Sequence, residues 1–167
     1  MKLMQPLFRA LLSTALLSAA AAAHAHGERH HARPAGLVVK EQKPWGIAAE
    51  ATQATRTVRI DMHDTMRFTP DHLEVRQGET LRIEVRNRGK VLHELVLGTE
   101  AELREHAELM KRFPDMEHDE PYMAHVDPGK TATIVWTFNR AGEFWFGCLL
   151  PGHFEAGMVG RVTVVPR

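Results

Sequence analysis

Apolar and polar residues begin to alternate at Val58, Ile60 and Met62, with Arg59 and Asp61 between them. The same period of two returns at Leu73 and Val75, at Leu81, Ile83 and Val85, and at Ala132, Ile134, Trp136 and Phe138. Each run is the pattern of a strand buried on one face. Gln77-Gly78-Glu79, Asn87-Arg88-Gly89 and Asn139-Arg140-Ala141-Gly142 supply turn residues between them. A last strand sets Met158, Val162 and Val164 opposite Arg161 and Thr163, while His63 and His72 fall at strand edges.

One segment has a different period. Thr99-Glu100-Ala101-Glu102 fits a capping box, and Leu103, Ala107 and Met110 recur at helical spacing until Pro114 stops the pattern. The early acids Glu100, Glu102 and Glu105 and the late bases Lys111 and Arg112 suit the helix dipole. Short antiparallel strands interrupted by one helix predict an all-β sandwich over residues 55–167. From His24 to about Thr55 no clean period appears, and 24–54 is expected to be a flexible, histidine-containing leader.

Two places in this pattern carry chemistry. In Val91-Leu92-His93-Glu94-Leu95-Val96-Leu97, alternation puts His93 on the same face as Val91, Leu95 and Leu97, where an imidazole without a partner is costly. In the strand entering the second place, Phe144, Phe146 and Cys148 share a face opposite Trp145. Cys148, His153 and Met158 then follow one another with equal gaps on a loop containing Pro151-Gly152 and Gly157. Taken singly, these are usually a small buried hydrophobe, a surface residue and a core filler. Together, a thiolate, an imidazole and a thioether on one tight loop suit copper. With His93 they form the His2Cys set with a distant Met typical of electron-transfer copper sites.

The amino-terminal residues set the expected address. Lys2 and Arg9 precede a Leu/Ala-rich run over 10–23 that ends in small residues, the pattern of a secretory signal peptide over 1–23. The run is shorter than the roughly 20 residues a bilayer-spanning helix needs, so no stable membrane insertion is expected after cleavage. Cleavage after Ala23 or after Ala25 satisfies the small-x-small rule, and the expected location is the periplasm. The 21 basic and 21 acidic residues balance, which argues against nucleic acid as a partner. The single cysteine cannot form an internal disulfide in an exported protein, which again favours a ligand role.

Further soft and borderline donors lie outside this set. His24, His26, His30 and His31 crowd the leader, and Met116, His118, Met123 and His125 crowd what reads as a loop beyond the helix. Accessory, weakly bound copper at these residues is one reading; a solvated leader and ordinary packing is the other.

The spacing of His93, Cys148, His153 and Met158, with the Phe-x-Phe-x-Cys lead-in, resembles the cupredoxins, the small type 1 blue-copper proteins. The equal gaps around His153 resemble the rusticyanin pattern. The His-rich leader, the Met/His segment and Glu41-Gln42-Lys43-Pro44-Trp45-Gly46 resemble the periplasmic copper-tolerance members. The resemblance implies a Greek-key β-sandwich with a short helix inserted, and one type 1 copper per chain. It makes His93, Cys148 and His153 the equatorial ligands and Met158 the axial one. Many members follow the first histidine with Asn, which ties the ligand loops together; here Glu94 follows instead.

The functions in view are periplasmic copper tolerance or homeostasis, with copper ions as partner, and an electron carrier with a periplasmic redox partner protein. A copper-dependent oxidase fits worst, because such enzymes need additional His clusters and further domains. The chain is therefore read as a non-enzyme.

Overall fold

A computed structural model describes residues 40–114, 116 and 119–167. The expected signal peptide, His24, His26, His30, His31 and His118 lie outside the described residues.

The strands in chain order are β1 (Ile47–Ala48), β2 (Arg56–His63), β3 (Arg67–Thr69), β4 (His72–Arg76), β5 (Glu79–Asn87) and β6 (His93–Gly98). After helix α1 (Glu100–Arg112) come β7 (Met123–Val126), β8 (Thr131–Phe138), β9 (Gly142–Gly147) and β10 (Val159–Val165). They form two five-stranded sheets, in the orders β1-β8-β5-β2-β3 and β4-β10-β9-β6-β7. Pairing is antiparallel except between β2 and β5 and between β4 and β10. One apolar core draws on both sheets: Ile60, Leu81, Ile83 and Trp136 from the first meet Leu95, Phe146, Val162 and Val164 from the second. This is the all-β sandwich with one inserted helix that the alternation predicts.

The helix forms where the capping pattern places it. Glu102 N–H donates to the Thr99 hydroxyl at 3.3 Å, and the Glu102 carboxylate accepts the Thr99 N–H at 3.2 Å. Leu103, Ala107 and Met110 are buried in a second cluster with Val96, Met123 and Leu149. The helix thereby covers the outer side of β6, and every residue of β6 is buried. Alternation implies one wet face for this strand; the helix removes it, and Glu94 is buried along with His93.

Two local expectations give way. Met123 and His125 belong to strand β7, which pairs with β6 through His93↔Val126 and Glu94↔His125. Four residues in which the two outer positions are buried leave no alternation to read. Within the stretch 24–54, the described part is built into the sandwich: Ile47 and Ala48 pair with β8, and Trp136 Nε1–H donates to Trp45 O at 3.0 Å. A two-residue strand carries no period at all.

Candidate metal centre

The three loop residues are placed by a hairpin between neighbouring strands. Cys148 directly follows β9, Met158 directly precedes β10, and His153 lies on the loop between them. Cys148 N–H donates to Met158 O and Met158 N–H to His153 O, both at 3.0 Å, so backbone bonds close the loop. Gly157 takes φ of 91°, which an L side chain rarely adopts, and the Arg67 guanidinium lies against it. That guanidinium donates to Ala156 O at 2.8 Å and straps the loop to β3. From the other side, Lys111 at the end of α1 pairs with Glu155 at 2.7 Å.

His93 arrives on β6, the strand hydrogen-bonded to β9. One ligand atom each from His93, Cys148 and His153 lie within 4.8 Å of one another, and Cys148 Sγ is 3.2 Å from His153 Nδ1. Met158 is fully buried in the core cluster that also contains Cys148. The structure thus brings His93, Cys148 and His153 together, with Met158 buried at the foot of the same loop.

The imidazole of His93 is oriented by Asp64. A carboxylate only accepts, so the 3.1 Å contact between Nε2 and Asp64 Oδ1 fixes the proton on Nε2. This leaves Nδ1 with its lone pair free, and Nδ1 is buried without a hydrogen-bond partner. A buried, unpaired acceptor beside a thiol and a second imidazole is what a soft metal would satisfy. Asp64 is held by the Lys90 N–H at 2.8 Å, and chiefly this bond, then that of His93, keeps its carboxyl below the usual range. Gly89 makes room for it, because a Cβ there would lie 1.8 Å from Asp64 Oδ1.

Asn87 secures the approach to His93. Its amide donates to Val91 O and Val126 O and its oxygen accepts Gly89 N–H, each at 2.8 Å. Glu94 supplies the connection between ligand segments. Its backbone N–H points at Cys148 Sγ at 3.4 Å, and its Oε1 accepts Leu149 N–H at 2.7 Å. The carboxylate therefore makes the tie that the resemblance assigns to an Asn side chain. Its other oxygen pairs with His125 Nε2 at 2.8 Å, and this bond raises His125 above its ordinary pKa.

Of the accessory candidates, His125 thus faces Glu94, while Met123 is buried in the cluster under α1 and Met116 packs against it. Among the described residues, no second group of three His, Cys, Asp or Glu ligand atoms converges. Asp64, Arg67 and Asn87 were not legible as site residues. Asn87 read only as a turn residue, and nothing in the sequence links Asp64 to His93.

Burial pushes the Cys148 thiol up from its ordinary value of 9.0 to about 12, with the Glu94 charge adding to the effect. Burial, then the neighbouring His93, lowers His153 and favours the neutral imidazole that ligates. The metal-free protein is therefore expected to keep an unreactive thiol. Labelling by a thiol reagent at pH 8 should be at least about tenfold slower in the native than in the denatured chain. Because the folded thiol holds its proton to higher pH than the unfolded one, this group's stability contribution is present below pH 9.0 and falls as pH rises toward about 12. Equal labelling rates would show that Cys148 is open to solvent.

The chain has relatives among known proteins. The copper-resistant cuproprotein CopI of Rubrivivax gelatinosus is 48% identical over 162 residues, covering 93% of this chain and 94% of that protein. The protein of the same name from Pseudomonas aeruginosa is 36% identical over 151 residues, covering 73% and 83%. Auracyanin from Roseiflexus castenholzii shares the fold with a TM-score of 0.58 and 22% identity, over 68% of this chain and 99% of its own. Residues 54–165 match the family described as copper binding proteins, plastocyanin/azurin family, and the chain belongs to it.

Proposed function

We propose that the protein works in copper tolerance outside the cytoplasm, where His93, Cys148, His153 and Met158 would hold one copper ion. The observation that carries the site is the convergence of one ligand atom each from His93, Cys148 and His153 within 4.8 Å, together with a His93 Nδ1 that is buried and has no hydrogen-bond partner. Copper bound there supplies one-electron exchange between its two oxidation states. The chain's own residues do the rest. Asp64 holds the His93 tautomer, the hairpin fixes the loop ligands, and Phe68 and Phe146, edge to face at 5.0 Å, pack in the apolar core that contains Cys148 and Met158. Two proteins named for copper resistance at 48% and 36% identity support tolerance as the role. The signal-like run over 10–23 supports export. No helix of the described residues is long and apolar enough to cross a membrane.

Electron transfer is the second reading. It is favoured by the half-buried position of His153, which leaves one ligand edge within reach of a partner.

The two are separated by copper growth assays in cells lacking the endogenous gene. The wild-type chain is expected to restore growth in copper. A variant with His24, His26, His30, His31, Met116 and His118 changed to Ala should bind fewer copper ions, keep the visible spectrum and restore growth only partly. Unimpaired growth of the deletion strain in copper would remove the tolerance reading and leave the carrier.

A further inference from the structure

The carboxylate of Glu94 is fully buried beside the ligand set, on the residue that follows one ligand and in contact with the segment that contains another. A buried charge needs a reason, since burying one is costly unless it is paired and hydrogen-bonded. Here both oxygens have a neighbour: Oε1 accepts Leu149 N–H, and Oε2 lies 2.8 Å from His125 Nε2 in an ion-pair contact. A neutral amide could serve the first of these contacts equally well. What the amide cannot supply is the charge. At the fully buried position of Glu94, a fixed negative charge acts at a lower effective dielectric than it would in water.

We infer that Glu94 is a positioning residue with an electrostatic role. It ties the His93 strand to the Cys148 hairpin, and its charge biases the copper centre toward Cu(II) over Cu(I). The inference rests on the proposed copper site. Its physical basis is that oxidation adds one positive charge at the metal, which a neighbouring carboxylate stabilises and an amide does not. His125, on the strand paired with β6, anchors the carboxylate from the solvent side.

The test uses Glu94→Gln and Glu94→Asn, two neutral replacements, together with Glu94→Ala. In Glu94→Gln the amide oxygen still accepts Leu149 N–H, so loop geometry is retained while the charge is lost. The ratio of Cu(II) to Cu(I) affinity, read from the reduction potential at pH 8, should fall by at least about tenfold, a rise of about 59 mV for one electron. Glu94→Asn should move the potential in the same direction, which keeps the test open if the Gln variant does not fold. Independently of copper, hydrogen exchange at the Leu149 amide of the metal-free protein should be unchanged in Glu94→Gln. In Glu94→Ala it should quicken by at least about tenfold, because the amide loses its partner. A potential unchanged in both neutral variants, with the thiolate-to-copper band intact, would overturn the electrostatic role alone. Absence of that band from the wild-type protein would overturn the copper site itself, and the inference with it.

Discussion

Cys148→Ser is expected to abolish the intense visible band of the copper-loaded protein and to weaken copper binding by several orders of magnitude. Cys148 is the only cysteine in the chain, so no other side chain can supply a thiolate. Serine is close in shape and would fit the same buried position at the end of β9, next to Phe146. Its hydroxyl is a far weaker donor for a soft ion, and a thiolate-to-metal transition needs the sulfur. The fold itself is expected to survive, because Cys148 N–H still closes the hairpin on Met158 O. Optical and paramagnetic-resonance spectra of the two proteins, with copper titration, are the measurement. A variant that kept the band would show that Cys148 is not a ligand.

The second large effect is on stability. Asn87→Ala removes three buried or half-buried hydrogen bonds at once and leaves Val126 O without its donor inside the sandwich. At about 1 kcal/mol for each bond, plus the penalty for a stranded carbonyl, the loss should be roughly 2–4 kcal/mol. For a chain of this size that is a fall in Tm of about 5–15 °C. Asn87→Asp separates the causes, since it keeps the shape and the Gly89 contact but offers no N–H to Val91 O or Val126 O. It should be destabilised at least as much as the alanine variant. Thermal unfolding of the metal-free proteins decides the matter, and a Tm within about 2 °C of wild type for either would show that water replaces the side chain.

The sequence reading succeeded where one side chain reports on its own strand. Ile60, Leu81, Ile83, Ile134, Trp136 and Phe146 are all buried as their alternation predicts, and Thr99 caps α1 where the capping box places it. The ligand hairpin was legible because its residues are close in the chain and chemically distinctive. His93 was legible because an imidazole in an apolar run calls for a partner.

What escaped was whatever depends on a second element. Glu94 read as a departure from the family's Asn, but it is buried against the ligand hairpin at Leu149 and β7 at His125, and no period along β6 encodes that. Asp64 reaches His93 across 29 positions of chain, through a turn that Gly89 leaves open. Met123 and His125 read as candidate accessory donors, or as ordinary packing, in a loop because β7 is too short to alternate. Its pairing with β6 turns one toward the core and the other toward Glu94.

The hairpin's own backbone bonds have a kinetic consequence. Since backbone bonds that need no ion close the hairpin carrying Cys148, His153 and Met158, the proposed copper site needs little backbone rearrangement when the ion arrives or departs. Turnover of the ion is then governed by passage rather than by refolding. His93, Cys148 and Met158 are sealed in the interior, so in the proposed copper site the half-buried His153 is the ligand nearest solvent. A donor molecule delivering copper would have to present it at that imidazole, and the lifetime of the bound ion would be set by how often His153 swings aside.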